Sequence, residues 1–327
     1  PNRYCVFMPP VIRNSAIIFC LTWVTGCVDS NLPIIQPEVI TEQTRFDTDD
    51  PAIWINPYNT EESLIFGTDK ETDGAIYAYD LKGNILEDKT IRGIRRPNNV
   101  DVAYGLKLHD SLVTDILVFT ERERQQVRVF SVPEMQPLDG GGFKVFEDET
   151  DQAMRLPMGV ALFTSPKDSA MYVIVGRKSG PRNGYLYQYA LRPDGESLRM
   201  DKVRKFGAFS GLREIEAIAV DNSLGFVYYA DEGVCIRKYH AEPAAGNEEL
   251  ACFGGEHFQE DIEGIALASY PDGSGYLLVS NQQKGEFNIF DRNTNAFVKA
   301  VNLGTTETDG CEAATVPLGP SFPNGIF

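Results

Sequence analysis

A period of about fifty residues, carried by two interleaved motif series, restricts what this chain can fold into more than any other feature of its sequence. The aromatic-rich runs AIYAYDL (75–81), QVRVFSV (126–132), YLYQYAL (185–191), VCIRKYH (234–240) and EFNIFDR (286–292) each carry the two-residue rhythm of a half-buried strand. Their anchors Tyr79, Phe130, Tyr189, Tyr239 and Phe290 stand 51, 59, 50 and 51 residues apart. A second series, at Ile53, Val102, Val160, Ile218 and Ile265, advances by 49, 58, 58 and 47. Four short antiparallel strands with their turns fill such a period, and radial repetition of four-stranded sheets is how a β-propeller limits exposed strand edges. Turn signals at Lys82-Gly83-Asn84, Pro193-Asp194-Gly195, 222–225 and 272–275 separate the runs. No stretch of a dozen residues carries a helical apolar stripe. The expectation is an all-β chain, a six-bladed β-propeller of four-stranded antiparallel sheets. Five repeats are clear; a sixth begins near Asp309, with Ala314 falling 49 residues after Ile265, and is cut off at Phe327. The strand-like stretch 38–46 is expected to supply an outer strand of that last blade and close the ring. A β-solenoid, the structural rival, would repeat at roughly half this length or less.

Ahead of the repeats, Arg3 and Arg13 precede an apolar run over 16–24, about half of what crossing a bilayer needs. That is the pattern of a secretory signal. It leads through Val24, Thr25 and Gly26 to Cys27, where a bacterial lipoprotein would be cut and lipidated; an ordinary signal cut nearby is the plainer reading. The expected organisation is a signal peptide with a lipoprotein cysteine over 1–27, a linker over 28–37 and the propeller over 38–327. Export follows, to the outer membrane or cell surface as a lipoprotein, or as a secreted or periplasmic protein, with membrane contact only through a lipid anchor on Cys27. Of six cysteines, Cys5 and Cys20 leave with the signal. Among Cys235, Cys252 and Cys311 one pair can close in an oxidising compartment, Cys235 with Cys252 around a single turn region, or all three stay as buried thiols.

Charge narrows the partners. With 30 Lys+Arg against 47 Asp+Glu the net charge is −17, so the basic face that nucleic acid requires is not on offer. Residues 1–26 carry two Arg and no acid, so the exported part is two charges more negative still. A Gly-x-Ser-x-Gly elbow and a Gly-Lys phosphate loop are both missing, and three histidines, His109, His240 and His257, are too scattered for a His-rich metal site. Carboxylates and amides do recur just before the inner strand of successive repeats: Asp49-Asp50, Asn98-Asn99, Glu216, Asp261 with Glu263, and Asp309 with Glu312. In a propeller those positions converge at one mouth of the central channel. Packed like charges need a cation, and oxygen donors select a hard one, Ca²⁺ before Mg²⁺. Asp and Asn can also simply cap turns there. Basic residues recur at the strand ends that follow, Lys70, Arg122 and Arg177-Lys178, where they could grip an anion beside such a cluster or stay as solvated loop charges.

In this setting the motifs DDPAIW (49–54), TDK with a following YxxD turn (68–80), NNVDV (98–102), AEP (241–243), DIEG (261–264), DGxGYL (272–277), TDG (308–310) and LGPxxPxGIF (318–327) occur in order. From about Asp49 to Phe327 the sequence resembles the β-propeller phytases, the calcium-dependent bacterial 3-phytase family. The resemblance implies active-site calcium ligands at Asp49, Asn99, Glu216, Glu232, Asp261, Glu263 and Asp309, and a structural calcium shared by Asp50 and the Val100 carbonyl. It implies phosphate-gripping cations at Lys70, Arg122 and, with Arg in place of the family's Lys, Arg177, and a polar lining residue at Gln282. Catalysis would rest on Glu216, Asp261, Glu263, Lys70 and Arg122, with several Ca²⁺ ions. The implied reaction is release of phosphate from phytate, or another inositol phosphate, by metal-activated water, on a monomer. Met158 stands where the family carries a Tyr, the family's N-terminal Glu corresponds to Glu42 or Glu38, and the family continues past the equivalent of Phe327. A six-bladed calcium-dependent lactonase or esterase would share the acidic ring but have no use for Lys70, Arg122 and Arg177. A non-catalytic propeller would bind phytate without turning it over.

Overall fold

Runs that alternate every second residue and stop at Gly, Asn and Asp have one economical outcome, a meander of short antiparallel strands. The computed structural model describes residues 30–109, 112–195 and 197–327; the leader over 1–27, Cys27 included, lies outside the described residues. Five four-stranded sheets follow one another along the chain, each an antiparallel meander. The first holds β1 (Thr48–Trp54), β2 (Leu64–Asp69), β3 (Gly74–Tyr79) and β4 (Ile91–Ile94), the second β5 (Pro97–His109), β6 (Leu112–Glu121), β7 (Gln126–Val132) and β8 (Phe143–Lys144). The third holds β9 (Pro157–Thr164), β10 (Met171–Arg177), β11 (Asn183–Asp194) and β12 (Ser197–Ala208). The fourth is β13 (Ile218–Asp221), β14 (Phe226–Asp231), β15 (Cys235–His240) and β16 (Glu249–Phe253), and the fifth β17 (Ile265–Ser269), β18 (Gly275–Asn281), β19 (Glu286–Asp291) and β20 (Phe297–Asn302). Helix is confined, among the described residues, to single 3₁₀ turns of three or four residues.

The first strands of the sheets meet in succession, β1 against β5, β5 against β9, β9 against β13 and β13 against β17. They surround a channel of about 300 Å³ lined by Asp50, Val102, Leu162, Val220, Leu267 and Glu312, among others. Between neighbouring sheets the buried faces interlock: Phe66, Leu117, Phe119 and Phe130 join the first two, and Val160, Val173, Tyr187 and Val129 join the second and third. Apolar burial there, at roughly 25 cal/mol per Å², is the main force holding blade to blade.

The propeller class is therefore present, with one correction to the blade count: among the described residues five complete sheets stand where six were expected. The sixth repeat supplies an antiparallel bridge, Ala314 with Ile326, whose two backbone hydrogen bonds are both 2.9 Å. Leu318 and Ala314 pack with Leu81, Ile53 and Phe322 beside the first sheet. The stretch 38–46 does not become an outer strand, because its backbone finds partners elsewhere. Ile34 bridges Asn302 at the edge of β20, and Glu42 N–H donates to the Gly83 carbonyl at 2.8 Å, so the segment straps the fifth sheet to the first. Gly83 permits this crossing; at φ +83°, a Cβ there would stand 2.9 Å from the Thr41 Cα. Of the two open cysteine readings, the structure takes the paired one: Cys235 and Cys252 form a disulfide between β15 and β16, and Cys311 remains a free, half-buried thiol.

Candidate active site

An antiparallel meander places the start of each first strand beside the end of the second. Thr48 pairs with Asp69, Pro97 with Glu121 and Pro157 with Arg177. Residues at the start of β1 and β5, residues just before β13 and β17, and residues just after β2, β6, β14 and β18 consequently share one mouth of the channel. That is why acids and bases from distant repeats meet.

Asn98, buried at the start of β5, sits at the centre of the contacts. Its Nδ2 donates to Asp49 Oδ2 (3.1 Å), to Asn99 Oδ1 (3.0 Å) and to Glu216 Oε1, while its Oδ1 accepts from Arg122 Nη2. Lys70, just beyond β2, pairs with Asp49 Oδ1. Five side chains from three sheets thus form one polar knot of Asp49, Lys70, Asn98, Arg122 and Glu216. Burial and the nearby Glu216 push the Asp49 carboxyl up, against the pull of Lys70. Lys70 itself is pushed down by burial but raised on balance by Asp49 and Glu216. Burial lowers Arg122, with Glu216 opposing, and its Nε is buried without a partner. Asp309 faces the same knot and is raised to about 6 by burial, with Lys70 opposing and Glu216 adding. The Gly310 N–H donates to the Asp49 carbonyl at 3.0 Å and ties the two loops together.

A second group lies beside the first. Glu232, after β14, is raised to about 8 by burial and the neighbouring Asp261, and its Oε1 is buried with no partner. Glu263 is raised to about 9 by burial and then by Glu232 and Glu216. Asp261 is fully engaged: its Oδ1 meets Arg213 Nη1, and its Oδ2 accepts from Gln283 Nε2 at 2.6 Å. Behind the mouth, Asp50 Oδ2 accepts from the Val100 N–H (2.9 Å), and burial pushes this carboxyl well up. Met158 is buried behind Asn99; its carbonyl accepts from Thr120 Oγ1 (2.7 Å), the hydroxyl that also receives the Asn99 N–H.

The structure thus brings together Asp49, Lys70, Asn99, Arg122, Glu216 and Asp309, with Glu232, Asp261 and Glu263 alongside, and sets Asp50 and Val100 side by side. Other expected members go elsewhere. Arg177 is fully buried, stacked on Phe146 and Tyr187 and bonded to Glu149 (2.8 Å) and the carbonyls of Tyr185, Gly184 and Met154. Its guanidinium anchors the 149–155 loop in place of facing the mouth, while Lys178 beside it reaches Glu214. Gln282 donates its N–H to the Asp261 carbonyl (3.4 Å) and its Oε1 accepts from Gln283 Nε2 (3.3 Å); Gln283 makes the side-chain contact with Asp261. Glu312 is half-buried on the channel wall, raised to about 8 by desolvation and Asp101, and accepts from the Ala313 N–H. Glu42 accepts from the Ile85 N–H at the far end of β3. Asn98 as hub, Arg213 and Gln283 were not singled out for these roles by the sequence. The Asn-Asn pair was a usable signal for the first; nothing local marks the other two.

Among the described residues no three carboxylate, thiol or imidazole groups close on one point as a finished metal cage. The donor set nevertheless suits a hard cation. It is all oxygen, its acids outnumber Lys70, Arg122 and Arg213, and one buried carboxylate oxygen of Glu232 has no partner.

A profile of the family described as Phytase matches residues 36–327. The 3-phytase of Bacillus subtilis (strain 168) is 30% identical over 295 residues, covering 85% of this chain and 73% of that protein. The β-propeller domain of Myceliophteria thermophila Cps50 (Swd1) superposes with a TM-score of 0.51 at 10% identity, covering 83% of this chain and 78% of that one, a likeness of fold alone.

Proposed function

This chain belongs to the phytase family, and from that premise we propose that it releases inorganic phosphate from phytate with calcium held at the acidic mouth of the propeller. The observation that carries the proposal is the convergence of Lys70 and Arg122, two strand-end cations from different sheets, on Asp49 and Asn98 inside a group of carboxylates. A lone acidic ring would attract cations; an acidic ring with two inward cations suits a phosphoryl group as well. Asp49, Asn99, Glu216, Glu232, Asp261, Glu263 and Asp309 would hold the ions. Calcium bound there would offset charge on the phosphoryl oxygens and make a neighbouring water more acidic.

The chain's own groups do the rest. Lys70 and Arg122 exchange their protein partners for phosphoryl oxygens, Arg122 through a planar fork and Lys70 as a point charge. Asn98 fixes the direction of Arg122 while its amide nitrogen stays with the carboxylates. Glu263, raised by burial and by its neighbours Glu232 and Glu216, can hold a proton near the ester, and Glu216 adds a carboxylate beside it. Export and a lipid anchor on Cys27 belong to the same proposal, supported by the leader pattern of 1–27. The test is release of phosphate from phytate by the purified chain with millimolar calcium and with chelator. Release with calcium alone is expected; none at any calcium concentration overturns the proposal.

A further inference from the structure

Arg213 lies in the loop between β12 and β13 that also carries Glu214 and Glu216. Its Nη1 pairs with Asp261 Oδ1 and its Nη2 with Glu260 Oε2 at 3.0 Å. Gln283 closes the other side of Asp261, donating to Oδ2 (2.6 Å) and accepting from the Asp261 N–H (2.8 Å). Both oxygens of this carboxylate are therefore occupied. Its neighbours contrast with it, since Glu232 keeps an unpartnered buried oxygen and Glu263 sits among like charges. One arginine thus neutralises one corner of an acidic group in which Lys70 serves Asp49 and Glu232 keeps an unpartnered oxygen.

The side chain of Arg213 is 38% exposed, and its stem passes over Gly233. It can leave Asp261 without unpacking a core and remain on Glu260 at the rim. We propose that Arg213 is a built-in competitor for the cation: its guanidinium occupies Asp261 Oδ1 until a divalent ion displaces it, and so sets the cation concentration at which the site fills. The inference rests on the calcium reading above. It assigns Arg213 a positioning role and no step in the chemistry.

Calcium affinity measured calorimetrically, without substrate, tests it. Arg213→Gln leaves Asp261 Oδ1 open, and the dissociation constant for calcium should fall about two- to fivefold, the range expected for losing one partly exposed ion pair. Arg213→Lys, which can still reach Asp261, should stay near wild type. Arg182→Gln is the control for general field effects, because that guanidinium packs across Gly211 in the same loop without touching Asp261; its affinity should change by less than about 1.5-fold. Unchanged or weaker binding in Arg213→Gln overturns this inference alone, as does equal tightening in Arg182→Gln. Wild-type protein that binds no calcium overturns the calcium reading and this inference together. Unfolding curves in chelator verify that each variant is folded.

Discussion

Asn98 shows how one amide can organise a site of mixed charge. Its nitrogen faces three oxygen acceptors with two hydrogens to give, and its oxygen faces Arg122, so the carboxamide separates carboxylates from guanidinium. Around it, charge matters more than volume. Glu216→Gln keeps the shape and removes the charge, and is expected to cut kcat on phytate more than 100-fold while thermal unfolding moves by only a few degrees; near-normal turnover would remove Glu216 from the site. Arg122 and Arg177 invite a paired comparison, because both end or follow a second strand and nothing in their spacing tells them apart. Tertiary surroundings do: Arg177 is enclosed by Phe146, Tyr187 and Glu149, supplied from outside its own strand, and no local pattern announces that enclosure. Arg122→Ala should raise KM for phytate about tenfold with little loss of stability. Arg177→Met should leave KM unchanged and cost about 3 kcal/mol in urea unfolding, since it strips a buried cation from Glu149. A raised KM in the Arg177 variant would return that residue to the substrate site.

At the level of strands and loops, the sequence was most legible where the physics is local. Two-residue alternation and turn chemistry marked β3, β7, β11, β15 and β19, and the meander then dictated that acids before first strands and bases after second strands share a mouth. The fourth strands were less visible. β8 is two residues and β4 four, too short for a period to register. The stretch 38–46 reads as a strand in isolation, yet it belongs to an irregular tie over 30–46, because the partners of that segment are the edge of β20 and the Gly83 turn. The disulfide also lies at this scale, pinning the edge strand β16 to β15 across a 17-residue separation. Closing a loop of that length restricts the unfolded chain by about 3 kcal/mol. The double variant Cys235→Ala/Cys252→Ala should lose about that much in urea unfolding, and added reductant should destabilise wild type but not the variant. A reductant-insensitive wild type would show that the pair is not formed in solution.

The ring as a whole is held by polar latches as well as by apolar faces. Trp54 Nε1 reaches Asp115 between the first and second sheets (2.8 Å), the Leu162 N–H reaches Asp101 between the second and third (2.7 Å), and the Thr164 N–H reaches Asn222 between the third and fourth (2.7 Å). Between the fourth and fifth, Arg292 clamps Asp221 through Nε (2.6 Å) and Nη2 (2.7 Å), both side chains almost fully buried. Between the fifth sheet and the first, the strap contributes the Ile34–Asn302 bridge and the Glu42 N–H bond to the Gly83 carbonyl. Burial alone would raise Asp221, but Arg292, the Leu224 N–H and Ser223 outweigh it and hold the carboxyl below its ordinary value. A folded-state pKa below the unfolded one, about 3.9, contributes stability that is complete at neutral pH and disappears as pH falls through the depressed value. Asp221→Asn removes that contribution and leaves Arg292 without its counter-charge, costing about 3 kcal/mol at pH 7. Urea unfolding of wild type and variant at pH 7, 4 and 2.5 should therefore give two curves whose separation is widest at pH 7 and narrows once pH falls below the unfolded value, where the unfolded chain takes up the Asp221 proton before the folded one does. A separation that is constant with pH would mean that the latch acts through shape and not through charge.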